Sequence, residues 1–95
     1  MTFIQQSYAQ GIKNSDFLEL PPEEQKFFLS GAIDTLGHVA FQRNEAKGKC
    51  IFDWYFNKVD NSKQNGVIFA SFKKYPEYTP SSILIALTEK QCGRY

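Results

Sequence analysis

Apolar residues recur every three to four positions through the middle of the chain, which is the spacing of one face of an α-helix. Pro22 suits a first helical turn because its missing N–H is not needed there, and Glu23 and Glu24 complement the positive end of the helix dipole. We therefore predict a helix from about Pro22 to Gln42. Its apolar positions are Phe28, Leu29, Ala32, Ile33, Leu36, Val39 and Ala40.

Two glycines interrupt this predicted helix. Gly31 and Gly37 each cost about 1 kcal/mol relative to alanine in a helix interior. We therefore predict that each of them marks a place where another backbone comes close.

The next segment changes from polar to aromatic residues. Residues 43–49 (RNEAKGK) are polar and include a glycine, which predicts a loop. Residues 50–58 (CIFDWYFNK) have no clean period, and aromatic residues favour strands. Because a lone strand would have no partner, we predict a short buried helix here.

A further helix is predicted from about Ser62 to Lys74. The polar run Asp60-Asn61-Ser62 supplies its N-terminal cap. Its inner face would consist of Asn65, Ile68, Phe69, Phe72 and Tyr75.

The stretch KYPEYTPSS (74–82) combines two prolines with two tyrosines. A residue before proline avoids the α conformation, so Tyr75 ends one helix, and Thr79 can cap the next helix with Pro80 in its first turn. The following apolar group extends to Cys92, where Gly93 is a stop signal. The stretch is therefore predicted as a corner between two antiparallel helices.

The side chains of this corner are also the candidate partner-binding residues. Tyr75, Glu77 and Tyr78 could face another protein, although single exposed aromatic residues are common without a function.

The N-terminal residues predict one more helix. Apolar residues recur about every four positions along one helical face, at Phe3, Ile4, Tyr8 and Ile12. The helix would be interrupted by Gly11 and by Asn14-Ser15. Ser15-Asp16 can cap a brief helical turn through Phe17 and Leu18. The complete pattern predicts an all-α fold, a single domain over residues 1–95 with four or five helices.

The composition of the chain supports one folded domain and argues against a nucleic-acid partner and a membrane span. A chain of 95 residues with 42% hydrophobic and 16% aromatic residues can build one core but not two. The formal charge of +1 lacks the basic excess of a nucleic-acid binder, so we expect no nucleic-acid partner. No apolar run approaches the length of about 20 residues that a membrane-spanning helix needs.

Localisation depends on how the chain begins. The sequence MTFIQQSYAQGIKNSD has no basic opening and no unbroken apolar run, so it is not a signal peptide as written. We expect a periplasmic protein if a leader peptide was removed, and a cytoplasmic protein otherwise.

Cys50 and Cys92 are the two cysteines of the chain, 42 positions apart. A disulfide between them would stabilise the domain by roughly 2–4 kcal/mol. The alternative is two buried free thiols, as in cytosolic proteins. We favour the disulfide, which in turn favours an oxidising compartment.

No group of residues indicates catalysis, a metal or a cofactor. His38 is the single histidine, and a structural hydrogen bond explains it better than a dyad with Cys50. Asp34 is expected to be partly buried on the long helix and to make a structural hydrogen bond. No phosphate-binding, nucleophile-elbow or zinc-protease motif is present. We therefore expect a protein that is not an enzyme and that uses no cofactor or metal.

The order of these features resembles the Rap/Tai family of type VI secretion amidase immunity proteins. The similarity extends over about residues 25–92, where a helix with aromatic-x-x-Gly-Ala-x-Asp precedes a first cysteine, a helix ending near Tyr-Pro-Glu, and an Ala-Leu helix ending in the second cysteine. The matching positions are Phe28, Gly31, Ala32, Asp34, Cys50, Tyr75, Pro76, Glu77, Ala86, Leu87 and Cys92. The sequence departs from the family at Ile51-Phe52, where a proline-containing turn is more usual.

This resemblance implies a small helical periplasmic protein with one disulfide, often a homodimer, which occludes the active site of a peptidoglycan amidase. Two other functions remain open. One is a helical periplasmic stress chaperone activated at low pH, and the other is a cytosolic interaction protein whose cysteines stay reduced. A small-molecule role for Trp54-Tyr55-Phe56 is weaker, because a small domain needs such rings for its core.

Overall fold

A computed structural model describes residues 11–94 of the chain. The described residues form five helices and no strand, which confirms the predicted all-α fold. The predicted N-terminal helix with Phe3, Ile4 and Tyr8 lies outside the described residues. The helices are α1 (Asn14–Leu18), α2 (Pro22–Arg43), α3 (Glu45–Tyr55), α4 (Ser62–Lys74) and α5 (Pro80–Cys92).

The core is built from apolar side chains of all five helices. Phe17 of the short α1 is fully buried, and its ring lies 5.0 Å from that of Phe72 on α4 and 5.3 Å from that of Phe28 on α2. Such edge-to-face contacts suit the charge distribution of aromatic rings. The buried apolar residues are Phe17, Leu29, Ile33, Ala40, Ile51, Tyr55, Ile68, Phe72, Ile83 and Leu84.

Most of the predicted helical faces are therefore correct, with exceptions near the helix ends. On α2, Leu29, Ile33 and Ala40 are buried as expected, whereas Val39 is exposed. Tyr75 was predicted on the inner face of α4, but it follows the last turn and is exposed.

The predicted loop over residues 43–49 is wrong. Asn44 alone separates α2 from α3, and its side-chain oxygen accepts a hydrogen bond of 3.2 Å from the backbone N–H of Lys47. Asparagine is among the strongest N-cap residues, so the polar residues after it form the first turn of a helix. Position 48 of that helix requires glycine, because a Cβ there would lie 2.4 Å from the Cβ of Phe41.

The two glycines of α2 differ in their surroundings. A Cβ on Gly37 would lie 2.6 Å from the ring of Phe52, so the close approach is made by a side chain rather than by a backbone. The expectation for Gly31 is wrong, because open space surrounds the position that its Cβ would take.

The helices predicted in the second half of the chain are confirmed, although the one predicted over residues 50–58 ends at Tyr55. Residues 50–55 are helical, α4 has the predicted bounds, and the side chain of Thr79 caps α5 by accepting a hydrogen bond of 3.2 Å from the backbone N–H of Ser82. α5 packs against α3 and α4, and a disulfide joins Cys50 on α3 to Cys92 at the end of α5. None of the helices within residues 11–94 has both the length and the apolar character to cross a bilayer.

Candidate functional site

The corner between α4 and α5 presents the three predicted partner-binding side chains on the surface. Tyr75 is 41% exposed and Tyr78 59% exposed, and their ring centroids lie 5.5 Å apart. The ammonium group of Lys74 lies 5.5 Å from the centroid of the Tyr75 ring, which is cation–π distance. Together with the exposed Glu77, this corner offers two rings and a carboxylate within five residues.

The backbone of the corner is held by hydrogen bonds from the beginning of α1. The backbone N–H of Asn14 donates to the carbonyl of Tyr78 at 2.7 Å, and that of Ser15 donates to the carbonyl of Pro76 at 3.1 Å. The side-chain amide of Asn14 donates to the carbonyl of Tyr75 at 2.7 Å. Three carbonyl groups of the corner are therefore already paired within the chain.

Asn14 is completely buried, and its side-chain hydrogen bond to the exposed Tyr75 is partly shielded from water. A buried hydrogen bond of this kind rigidifies the groups that it joins, because breaking it would leave a polar group without a partner. The side chains at the corner therefore project from a fixed backbone.

An ion pair reinforces the same contact at the surface. The ammonium group of Lys13 lies 2.8 Å from a carboxylate oxygen of Glu77. This hydrogen bond, together with the negative charge of Glu77, raises the pKa of Lys13 above its ordinary value. Both side chains are well exposed, so the pair orients the carboxylate more than it stabilises the fold.

The residues considered for catalysis do not form a site. Cys50 is in the disulfide, so the alternative dyad of His38 with a Cys50 thiolate does not form. Asp34 was expected to be partly buried, but it lies on the exposed side of α2, where one carboxylate oxygen is 3.4 Å from Nε2 of His38. Within residues 11–94, no three side chains of His, Cys, Asp or Glu are grouped so that they could hold a metal ion.

Trp54 and Tyr55 at the end of α3 and Phe56 just after it have different surroundings. Tyr55 is buried, and its hydroxyl donates a 2.7 Å hydrogen bond to the side-chain oxygen of Asn65, while burial raises its pKa. Phe56 lies in a shallow surface groove with Phe27, and Trp54 lines a separate cavity. They do not form one small-molecule site together.

Sequence reasoning missed the contribution of α1 to the corner. The run Lys13-Asn14-Ser15-Asp16 is typical of a helix start, and nothing in it indicates a contact with residues more than sixty positions later. The resemblance to the immunity family stays a prediction. Comparison with protein-family models, with curated proteins and with solved structures finds no match for this chain.

Proposed function

We propose that this protein is a non-catalytic binding protein that recognises a protein partner through the corner formed by Tyr75, Glu77 and Tyr78. The observation that carries the proposal is that exposed rings and a carboxylate project from a backbone whose carbonyl groups are already paired with α1. The corner therefore resembles a preformed binding loop more than a simple connection.

This arrangement suits binding for two physical reasons. Tyrosine contributes a large amphipathic contact area with few rotatable bonds, and it is enriched where proteins bind one another. A loop that is already ordered also loses less conformational entropy on association. Both effects favour affinity without a conformational change in the protein.

The partner that we propose is a peptidoglycan amidase, which the protein would inhibit by covering its active site. Support comes from the resemblance to the immunity family, in which Tyr75, Pro76 and Glu77 are among the matching positions. Such a partner acts on the cell wall, so the proposal places the protein in the periplasm. The disulfide supports an oxidising compartment, where such bonds persist.

The test is an inhibition assay with purified peptidoglycan amidases from the source organism. The native protein should inhibit one of them at close to equimolar ratio. The double variant Tyr75→Ala/Tyr78→Ala should weaken inhibition by about tenfold or more, because interface tyrosines are frequent hot spots. Glu77→Ala should weaken inhibition less, since the carboxylate of Glu77 is already paired with the ammonium group of Lys13.

Phe27→Ala is the matched control because Phe27 is an exposed ring on α2, outside the corner. It should leave inhibition unchanged. Equal losses from both sets of substitutions, or the absence of inhibition of every amidase, would contradict the proposed role of the corner. A homodimer, which the family resemblance also implies, is tested by sedimentation equilibrium of the native protein.

A further inference from the structure

A cavity of about 890 Å³ lies among α3, α4 and α5, away from the tyrosine corner. Its apolar lining includes Trp54 from α3, Val67 from α4 and Leu87 from α5. This volume is within the range of cavities that hold small organic ligands. Trp54 is only half-buried, so part of its ring is available to a ligand.

Lysines surround this apolar lining. Lys49, Lys58, Lys63 and Lys90 line the cavity, and they are four of only 11 basic residues in a chain with a net charge of +1. Asp53 is the one acidic residue in the lining. The positive charge is therefore a local property of this cavity and not a consequence of a basic protein.

Three of these lysines are available for a ligand. Lys49 forms an ion pair of 3.2 Å with Glu45 one turn earlier. Among residues 11–94, no carboxylate lies within 4 Å of the ammonium groups of Lys58, Lys63 or Lys90. Lys58 lies in the connection after α3, Lys63 in the first turn of α4 and Lys90 in the last turn of α5, so a single helix face does not explain why they line the same cavity.

We propose that this cavity binds a small organic anion, with a planar apolar body against Trp54 and a carboxylate or phosphate group among Lys58, Lys63 and Lys90. The apolar lining would contact the body of the ligand, and the unpaired ammonium groups would bind its acidic group. The proposal is independent of the tyrosine corner, and it holds whether or not the protein inhibits an amidase.

The test compares two ligands that differ in charge but hardly in shape. Trp54 is the only tryptophan, so a ¹H–¹⁵N spectrum contains one indole N–H signal that reports on the cavity. We expect 1-naphthylacetate to shift this signal in a saturable manner and to bind at least about fivefold more tightly than neutral 1-naphthylacetamide. Inorganic phosphate alone should bind more weakly than the naphthylacetate.

Variants show whether the lysines are responsible. Lys63→Gln/Lys90→Gln should weaken naphthylacetate binding by about fivefold and leave amide binding unchanged. Lys26→Gln/Lys73→Gln removes two exposed lysines outside the cavity and should change neither. Equal affinity for the acid and the amide, equal effects of the two double variants, or no saturable shift up to millimolar ligand would overturn the proposal.

Discussion

Asn14 joins parts of the chain that are 61 positions apart, and it does so through both its backbone and its side chain. Local sequence explains only its place at the start of α1. The identity of the residue matters because the side-chain amide supplies the donor for the carbonyl of Tyr75. At the scale of single residues, the corner therefore depends on a residue that lies outside it in the sequence.

Asn14→Ala should destabilise the protein by about 1–3 kcal/mol, because it removes a buried amide and one of the two hydrogen bonds that the carbonyl of Tyr75 accepts. Urea unfolding followed by circular dichroism measures the change. Lys13→Gln removes the neighbouring exposed ion pair and should have a much smaller effect. Equal stability of Asn14→Ala and the native protein would show that the corner is not anchored through this side chain.

Tyr55→Phe tests the buried hydroxyl of α3. Loss of its hydrogen bond to Asn65 should cost about 1 kcal/mol at neutral pH. Burial raises the pKa of Tyr55 above 10.0, so the folded state holds this proton more tightly than the unfolded state. The resulting stability is fully present below pH 10 and is lost as the pH rises through the folded-state pKa.

The stability advantage of the native protein over Tyr55→Phe should therefore shrink above pH 10. Urea unfolding of both proteins at several pH values between 7 and 11 measures the difference between their free energies of unfolding. Groups that titrate alike in both proteins cancel in this difference. A difference that stays constant over this range would contradict the burial of the hydroxyl.

At the scale of the helices, side-chain hydrogen bonds mark the starts of α3, α4 and α5. Thr79 caps α5 with its own side chain, and the carboxylate of Asp60 accepts a hydrogen bond of 2.9 Å from the backbone N–H of Ser62 at the start of α4. The hydroxyl of Ser62 also donates to this carboxylate, and the two hydrogen bonds from the Ser62 hydroxyl and backbone N–H lower the pKa of Asp60 below its ordinary value. The start of α3 is likewise set by a capping residue, Asn44. The polar residues and the glycine that follow Asn44 are typical of a loop, and a loop is therefore predicted there from the sequence.

The three glycines of α2 and α3 give a graded test of how closely these helices pack. Gly31→Ala should stabilise the protein by up to about 1 kcal/mol, because open space surrounds the new methyl group and alanine favours helix. Gly37→Ala should destabilise it by about 1–3 kcal/mol, since the methyl group meets the ring of Phe52.

Gly48→Ala should be the most destabilising of the three substitutions. Its methyl group would lie 2.6 Å from the Cα of Phe41, and a backbone atom cannot move aside as a side chain can. Thermal unfolding of the three variants under one set of conditions provides the order. A stable Gly48→Ala protein would contradict the packing of α3 on α2.

At the scale of the whole molecule, the disulfide and the α1 contacts connect regions that are distant in sequence. Cys50–Cys92 ties α3 to the end of α5, whereas Asn14 ties the beginning of the described chain to the α4–α5 corner. The domain is too small for a large core, so such cross-links contribute a large share of its stability.

Cys50→Ser/Cys92→Ser should lower the free energy of unfolding by about 2–4 kcal/mol while the helical circular dichroism spectrum is retained. Dithiothreitol should destabilise the native protein by a similar amount and leave the double variant unaffected. Two free thiols in the freshly purified native protein would contradict the disulfide and favour the cytosolic alternative.

The spacing of apolar residues and the capping signals were enough to determine α2, α4, α5 and much of the core, because both depend on residues within one or two helical turns. The same local reasoning identified Tyr75, Glu77 and Tyr78 as a corner between helices. Within residues 11–94, the predicted α2, α4 and α5 differ little from the observed helices.

Only the tertiary structure decided which residues from distant segments meet. The packing of the helices determines that Asn14 anchors the corner and that Asp34 is exposed. It also places Lys58, Lys63 and Lys90 in the lining of the cavity that contains Trp54. Spacing along one helix shows which side chains share a face, but not what that face contacts. That contact is determined by the packing of the whole core, to which every helix contributes.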